Sequence, residues 1–164
     1  MKKRINNLKL KEILEKVNQF EIKEISKKKV YRVSTYYLIK SLIFLAVISA
    51  AIILSVLNMK KINFLVIFLL VFLSVYVVYS IYYLFSYTMI IDENKLIIKK
   101  QVIELDKITS INLAYSSVAS SKLEEALKIV VDNKKEYVLR LNIKNNIEFI
   151  KQISKISKVN VGIE

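Results

Sequence analysis

The apolar positions of this chain fall into three regimes. Over the first 30 residues they recur at helical spacing, at Leu10, Ile13, Leu14, Val17 and Ile25. Glu12/Lys16 and Glu24/Lys28 are i,i+4 pairs, so this stretch predicts a basic amphipathic helix. In the middle, charge disappears. Residues 41–57 are 17 positions without a charge, and residues 36–40 extend the run to 22 with Lys40 at its edge. After Asn58-Met59-Lys60-Lys61, residues 62–85 are 24 positions with no charge at all. As helices at about 1.5 Å per residue these runs reach roughly 33 and 36 Å, enough for a hydrocarbon core of about 30 Å. Neither keeps a polar stripe for water, which a surface helix of a soluble protein would need. The pattern predicts a transmembrane helical hairpin over residues 36–85, with helices at 36–57 and 62–85 and a connection at 58–61.

From Ser86 onward the period shortens. Tyr87-Thr88-Met89-Ile90-Ile91, Leu96-Ile97-Ile98-Lys99-Lys100, residues 102–105 and residues 108–113 are β-like runs separated by polar turns. A serine-rich loop is expected at residues 116–121. Residues 127–131 and 137–141 then flank Asp132-Asn133-Lys134-Lys135, a hairpin signal. The last element reads as a helix, capped by Asn145 or Asn146, with Ile147, Ile150, Ile153 and Ile156 on one face. Strands first and one helix last predict an α+β domain in which the helix closes an antiparallel sheet.

Composition narrows the function classes. Of the 164 residues 54% are apolar and 25% charged, so the two kinds segregate along the chain. There is no Cys and no His, which removes thiol chemistry, disulfides, and the commonest general base and metal ligand. A single glycine, Gly162, and no proline leave no phosphate-cradling loop. Paired carboxylates can serve acid–base or metal work, but Asp92-Glu93 and Asp132 fall at predicted turns, and Glu124-Glu125 on an exposed stretch. The serines at 116–121 lack a histidine to activate them and a glycine to shape an elbow. The expectation is a protein that is not an enzyme and carries no cofactor and no metal.

Charge sets the expected topology. Of the 27 Lys+Arg, 12 lie in residues 1–40, 13 in residues 86–164 and two in the connection, so the positive-inside rule places both termini in the cytoplasm of a multi-pass cell-membrane protein. Tyr31, Tyr36 and Tyr37 before and at the start of the first run, and Tyr79, Tyr82, Tyr83 and Tyr87 at the end of the second, suit one membrane boundary. Lys27, Lys28, Lys29, Arg32 and Lys40 stand beside them as membrane-interface residues. Contact with anionic lipid is worth about 1 kcal/mol per basic residue near the surface. Lys99, Lys100, Lys134 and Lys135 are further candidates for contact with an anion or a lipid head group. No nucleic-acid module accompanies the net charge of +13, so no nucleic-acid partner is expected.

Four segments carry a resemblance: Ile90-Ile91-Asp92-Glu93-Asn94-Lys95-Leu96-Ile97-Ile98, Ile103-Glu104-Leu105-Asp106-Lys107-Ile108-Thr109-Ser110-Ile111, Ala126-Leu127-Lys128-Ile129-Val130-Val131 and Asn146-Ile147-Glu148-Phe149-Ile150. In this order, after a hairpin, they resemble the bacterial PH-like (pleckstrin-homology-like) domains. The resemblance covers residues 86–158 and rests on apolar spacing; the Ser-Pro that often precedes the family's closing helix is replaced here by Leu141-Asn142-Ile143. It implies a membrane-anchored module, residues 1–35 being a basic helical segment and residues 86–164 a cytoplasmic PH-like domain that binds protein or lipid. Size, charge and layout are also similar to small bacteriocin self-immunity proteins, which implies a cationic bacteriocin as an alternative partner.

Overall fold

The computed structural model describes residues 2–22, 27–58, 64–117, 123–132 and 134–164, with side chains from Asn7 onward. The chain divides into two units: residues up to 32 together with residues 88–164, and residues 33–87.

The second unit is a pair of helices packed on each other, α2 (Thr35–Leu57) and α3 (Phe64–Ser86). Ser34 caps α2, its hydroxyl accepting from the Tyr37 N–H at 3.3 Å, and Asn58 closes the other end by donating to the Leu54 carbonyl at 2.8 Å. Leu45, Val77 and Leu84 are its buried side chains among the described residues. The helices are long and apolar enough to cross a membrane. Of the expected connection, residues 59–61 lie outside the described residues, as do Ile62 and Asn63.

The first unit holds α1 (Lys2–Gln19) and α4 (Asn146–Ser157) with two sheets. One sheet is an antiparallel meander of β1 (Lys28–Arg32), β2 (Thr88–Asp92), β3 (Lys95–Ile98) and β4 (Gln101–Glu104). A 3₁₀ turn at Leu105–Lys107 leads to the second sheet. That sheet has the order β7-β6-β5-β8, from β5 (Ile108–Ser117), β6 (Leu123–Val131), β7 (Lys135–Arg140) and β8 (Val161–Ile163), with β8 parallel to β5. The expected single antiparallel sheet is therefore two sheets, one of them mixed. The α+β class stands.

Period-2 alternation explains the core. Met89 and Ile91 of β2, Leu96 of β3 and Ile103 of β4 point inward, as do Ile111, Leu113, Leu127 and Ile129 of β5 and β6. Phe149, Ile150 and Ile153 of α4, which packs on α1 and the 3₁₀ turn, have no exposed surface. Burying a side chain of this size contributes roughly 1.5–3 kcal/mol each.

Residues 1–30 depart from the expectation of one continuous helix. The helix ends at Gln19, and Lys28–Arg32 is a strand paired with β2. The alternation inside Lys28–Arg32 supplies the reason: Tyr31 is buried and Lys29 half-buried on one face, while Lys28, Val30 and Arg32 are exposed on the other. Ile25 lies outside the described residues. The predicted face of α1 is correct, with Leu10 and Val17 buried and α1 packed on α4, β5 and β8.

In smaller features, the tight turns are made without glycine. β3 stops at Ile98 because Lys99 turns with φ 55°, and Glu93 (φ 50°) and Asp132 (φ 51°) bend the other two tight turns. Ser116 and Ser117 continue β5 rather than opening a loop; residues 118–122 lie outside the described residues. Asn145 occupies the N-cap of α4 at φ 58°, and its side chain bonds Glu148 Oε2 at 3.5 Å instead of a backbone N–H.

Candidate functional site

Three groups of polar residues have geometry that bears on function. The first fixes β1 to α4. The Tyr31 hydroxyl donates to Gln152 Oε1 at 2.6 Å in the core, and its ring meets the edge of Phe149 at 4.9 Å. Lys29 on the same face forms an ion pair with Glu148 and stands 5.9 Å from the Tyr31 ring centroid. Burial, with the Glu148 charge second, pushes the Tyr31 phenol well above the usual tyrosine range. Tyr31 thus belongs to the core of the α+β unit and not to the row of boundary tyrosines. Lys29 is likewise spent on a fold contact.

The second group is the set of charges at the two ends of the first sheet. Register puts Arg32 opposite Thr88, and Met89 opposite Ile98, so the Lys99-Lys100 turn lies level with Thr88 and Arg32. The Lys144 N–H donates to the Arg32 carbonyl at 2.8 Å, which brings a fourth basic residue to this end. At the other end Lys28 faces Asp92, with the charges 3.6 Å apart, beside Glu93, whose N–H bonds the Lys27 carbonyl. The Leu105 N–H bonds the Asn94 carbonyl and the Asp132 N–H bonds the Lys107 carbonyl, so the turn carrying Lys134 and Lys135 joins that end. Lys107 pairs there with Glu104 at 2.6 Å, which raises the lysine and lowers the glutamate from their usual ranges. The structure therefore separates Lys99 and Lys100 from Lys134 and Lys135. Sequence distance gave no signal for this; strand register does.

The third group lines an open cleft of about 450 Å³ formed by Leu10, Ala114, Tyr115, Ser116, Leu123, Lys128, Val138 and Glu164. Lys128 is held between Glu136 at 3.2 Å and Glu164 at 2.6 Å, and these carboxylates raise its pKa. Among the described residues, the Tyr115 hydroxyl and one Glu124 oxygen are buried without a hydrogen-bond partner. Desolvation, then the Glu125 charge, raises the Tyr115 phenol. Its chemistry is that of a shallow surface with one lysine clamped between two carboxylates.

Of the remaining expected interface residues, Tyr36, Tyr37 and Lys40 occupy the first two turns of α2. Tyr79, Tyr82 and Tyr83 occupy the last two turns of α3, with Tyr87 just beyond. Tyr79, Tyr83 and Tyr87 form a ladder with 6.4 Å between successive ring centroids. Among known proteins, no family, no curated sequence and no solved structure matches the chain.

Proposed function

We propose that the chain is a non-enzymatic, membrane-anchored module. In this reading α2 and α3 cross the cell membrane as a hairpin, both termini remain cytoplasmic, and the α+β unit, a PH-like domain, binds protein or lipid at the inner leaflet. The observation that carries it is the surface of the two helices. Only 6% of the most apolar 18-residue window of each is buried, whereas the core helix of a soluble protein buries most of such a stretch. Lipid is the solvent in which that surface costs nothing. The polar side chains Ser49, Ser55 and Ser74 suit it, since each hydroxyl donates to the carbonyl four residues back, at 2.8–2.9 Å.

The pairing of β1 with β2 supports a common side for both ends of the hairpin. Arg32 and Thr88 are partners in adjacent strands, about 5 Å apart, so the chain leaves and rejoins one sheet at one end. The lysine and arginine distribution favours the cytoplasm as that side. The PH-like reading draws on the element order, strands followed by an amphipathic helix against them.

A second reading, self-immunity to a membrane-active bacteriocin, is favoured by the net charge of +13, which would oppose insertion of a cationic peptide beside the anchor. The chain lacks cysteine, so an Asn58→Cys variant reports topology directly. An impermeant maleimide added to intact cells should label it, and external protease should leave the α+β unit whole; loss of that unit to external protease refutes the topology. Growth of a sensitive host against supernatant of the source strain tests immunity, and an unchanged inhibitory dose at confirmed expression removes that reading.

A further inference from the structure

The two ends of the first sheet differ in charge, and the difference lines up with the chain path into the apolar helices. At one end stand Arg32, Lys99, Lys100 and Lys144. Residues 98–101 and residues 143–145 contain no carboxylate. The nearest one on α4, Glu148, is taken by Lys29. At the other end Lys27, Lys28, Lys95, Lys107, Lys134 and Lys135 stand with Asp92, Glu93, Glu104, Asp106 and Asp132, six lysines against five carboxylates. Two residues separate Arg32 from Thr35, the start of α2, and one separates Thr88 from Ser86, the end of α3. Fully extended, the first connection spans at most about 11 Å.

We infer that the Arg32/Lys99/Lys100/Lys144 end of the sheet is a contact surface for anionic phospholipid head groups, and that Lys134 and Lys135 take no part in it. The inference rests on the membrane-anchored reading and adds to it a lipid class and an orientation for the α+β unit. Covalent geometry does the positioning: an end tied to both membrane helices by such short links stays near the lipid phosphates. Four steps of strand, about 13 Å, separate Lys99 from Lys95. That exceeds the Debye length of about 8 Å at physiological salt, so the charges of the two ends are largely screened from each other. Clustered basic residues next to a membrane helix are the arrangement that attracts anionic lipid.

Single cysteines at exposed positions, Gln101→Cys at the basic end and Asn94→Cys at the other, carry a fluorophore in the full-length chain reconstituted into vesicles. A nitroxide on the lipid head group serves as quencher. Quenching at position 101 should rise about twofold when phosphatidylglycerol replaces part of the phosphatidylcholine, and should return to baseline in high salt or with Lys99→Gln and Lys100→Gln together. Position 94 should not respond, and Lys134→Gln with Lys135→Gln should change nothing. An equal response at both positions, or none to phosphatidylglycerol at position 101, overturns the inference. Accessibility of Asn58→Cys from the opposite side of the same vesicles separates the two failures: a reachable position 58 with an unresponsive position 101 sinks the lipid contact alone, whereas an unreachable position 58 sinks the anchor.

Discussion

Tyr31 and Gln152 lie 121 residues apart in sequence and share one hydrogen bond of 2.6 Å inside the core. The bond joins the strand that leads into the apolar helices to the helix that closes the α+β unit. Removing only the donor deletes this buried hydrogen bond, which costs about 0.5–1.5 kcal/mol. Tyr31→Phe should therefore lower the unfolding midpoint of the detergent-solubilised chain. Combined with Gln152→Leu the loss should be less than additive, because either substitution alone already breaks the same bond. A double variant no better than the sum of the two single variants would show that the bond is not the coupling between them.

The same phenol makes stability fall in alkali. Its pKa is raised in the folded chain, so above the ordinary tyrosine value of about 10 the unfolded state releases a proton that the folded state keeps. Its contribution is complete below that pH and is lost as pH rises toward the folded value. Chemical denaturation at pH 9 and at pH 11 (round values on either side of about 10) should show a smaller drop for Tyr31→Phe than for the parent chain. Tyr115, raised in the same direction, supplies part of the drop that remains.

Whether the first helix is part of the domain can be read from Leu10. It is 1% exposed against the α+β unit, so Leu10→Ala removes core volume and should cost about 2–5 kcal/mol. Leu8, 58% exposed on the same helix, should tolerate alanine within about 0.5 kcal/mol. Equal effects of the two, measured by thermal unfolding, would mean that α1 is not packed as described.

The apolar runs, the strand segments and the closing helix were legible because each has its own period and little competes with it. The α1 face was legible too, at Leu10 and Val17, but its partner was not, since the strand that docks beside it, β8, has only three residues and a glycine at its centre. Lys28–Arg32 was misread because a short strand of basic residues following a helix keeps the helix's charge pattern; only Tyr31 marks the alternation. The turns at Glu93 and Asp132 were legible from the polar runs that hold them, whereas the turn at Lys99 was not, because a lysine adopts the left-handed conformation there without glycine, at a strain of about 1–2 kcal/mol. The pairing of Lys99 with Arg32's end of the sheet, and the exclusion of Lys134, depend on register. No local pattern encodes register between elements separated by a helical hairpin.

Gly162 tests the last strand. It pairs with Asn112 across the parallel β5–β8 ladder, and a Cβ at that position would come within 2.6 Å of Asn112 Oδ1. The Asn112 amide is in turn held by Ser110 Oγ at 3.0 Å, so the side chain cannot swing away without losing that bond. Gly162→Ala should destabilise by about 1–3 kcal/mol, the usual cost of overpacking. In an Asn112→Ala background the obstructing oxygen is absent, and the same substitution should become neutral or slightly stabilising, because alanine restricts the unfolded chain. Thermal unfolding of the four chains of this cycle decides it. If Gly162→Ala costs the same in both backgrounds, β8 does not lie against Asn112, and the C-terminal clamp of Glu164 on Lys128 must be placed differently.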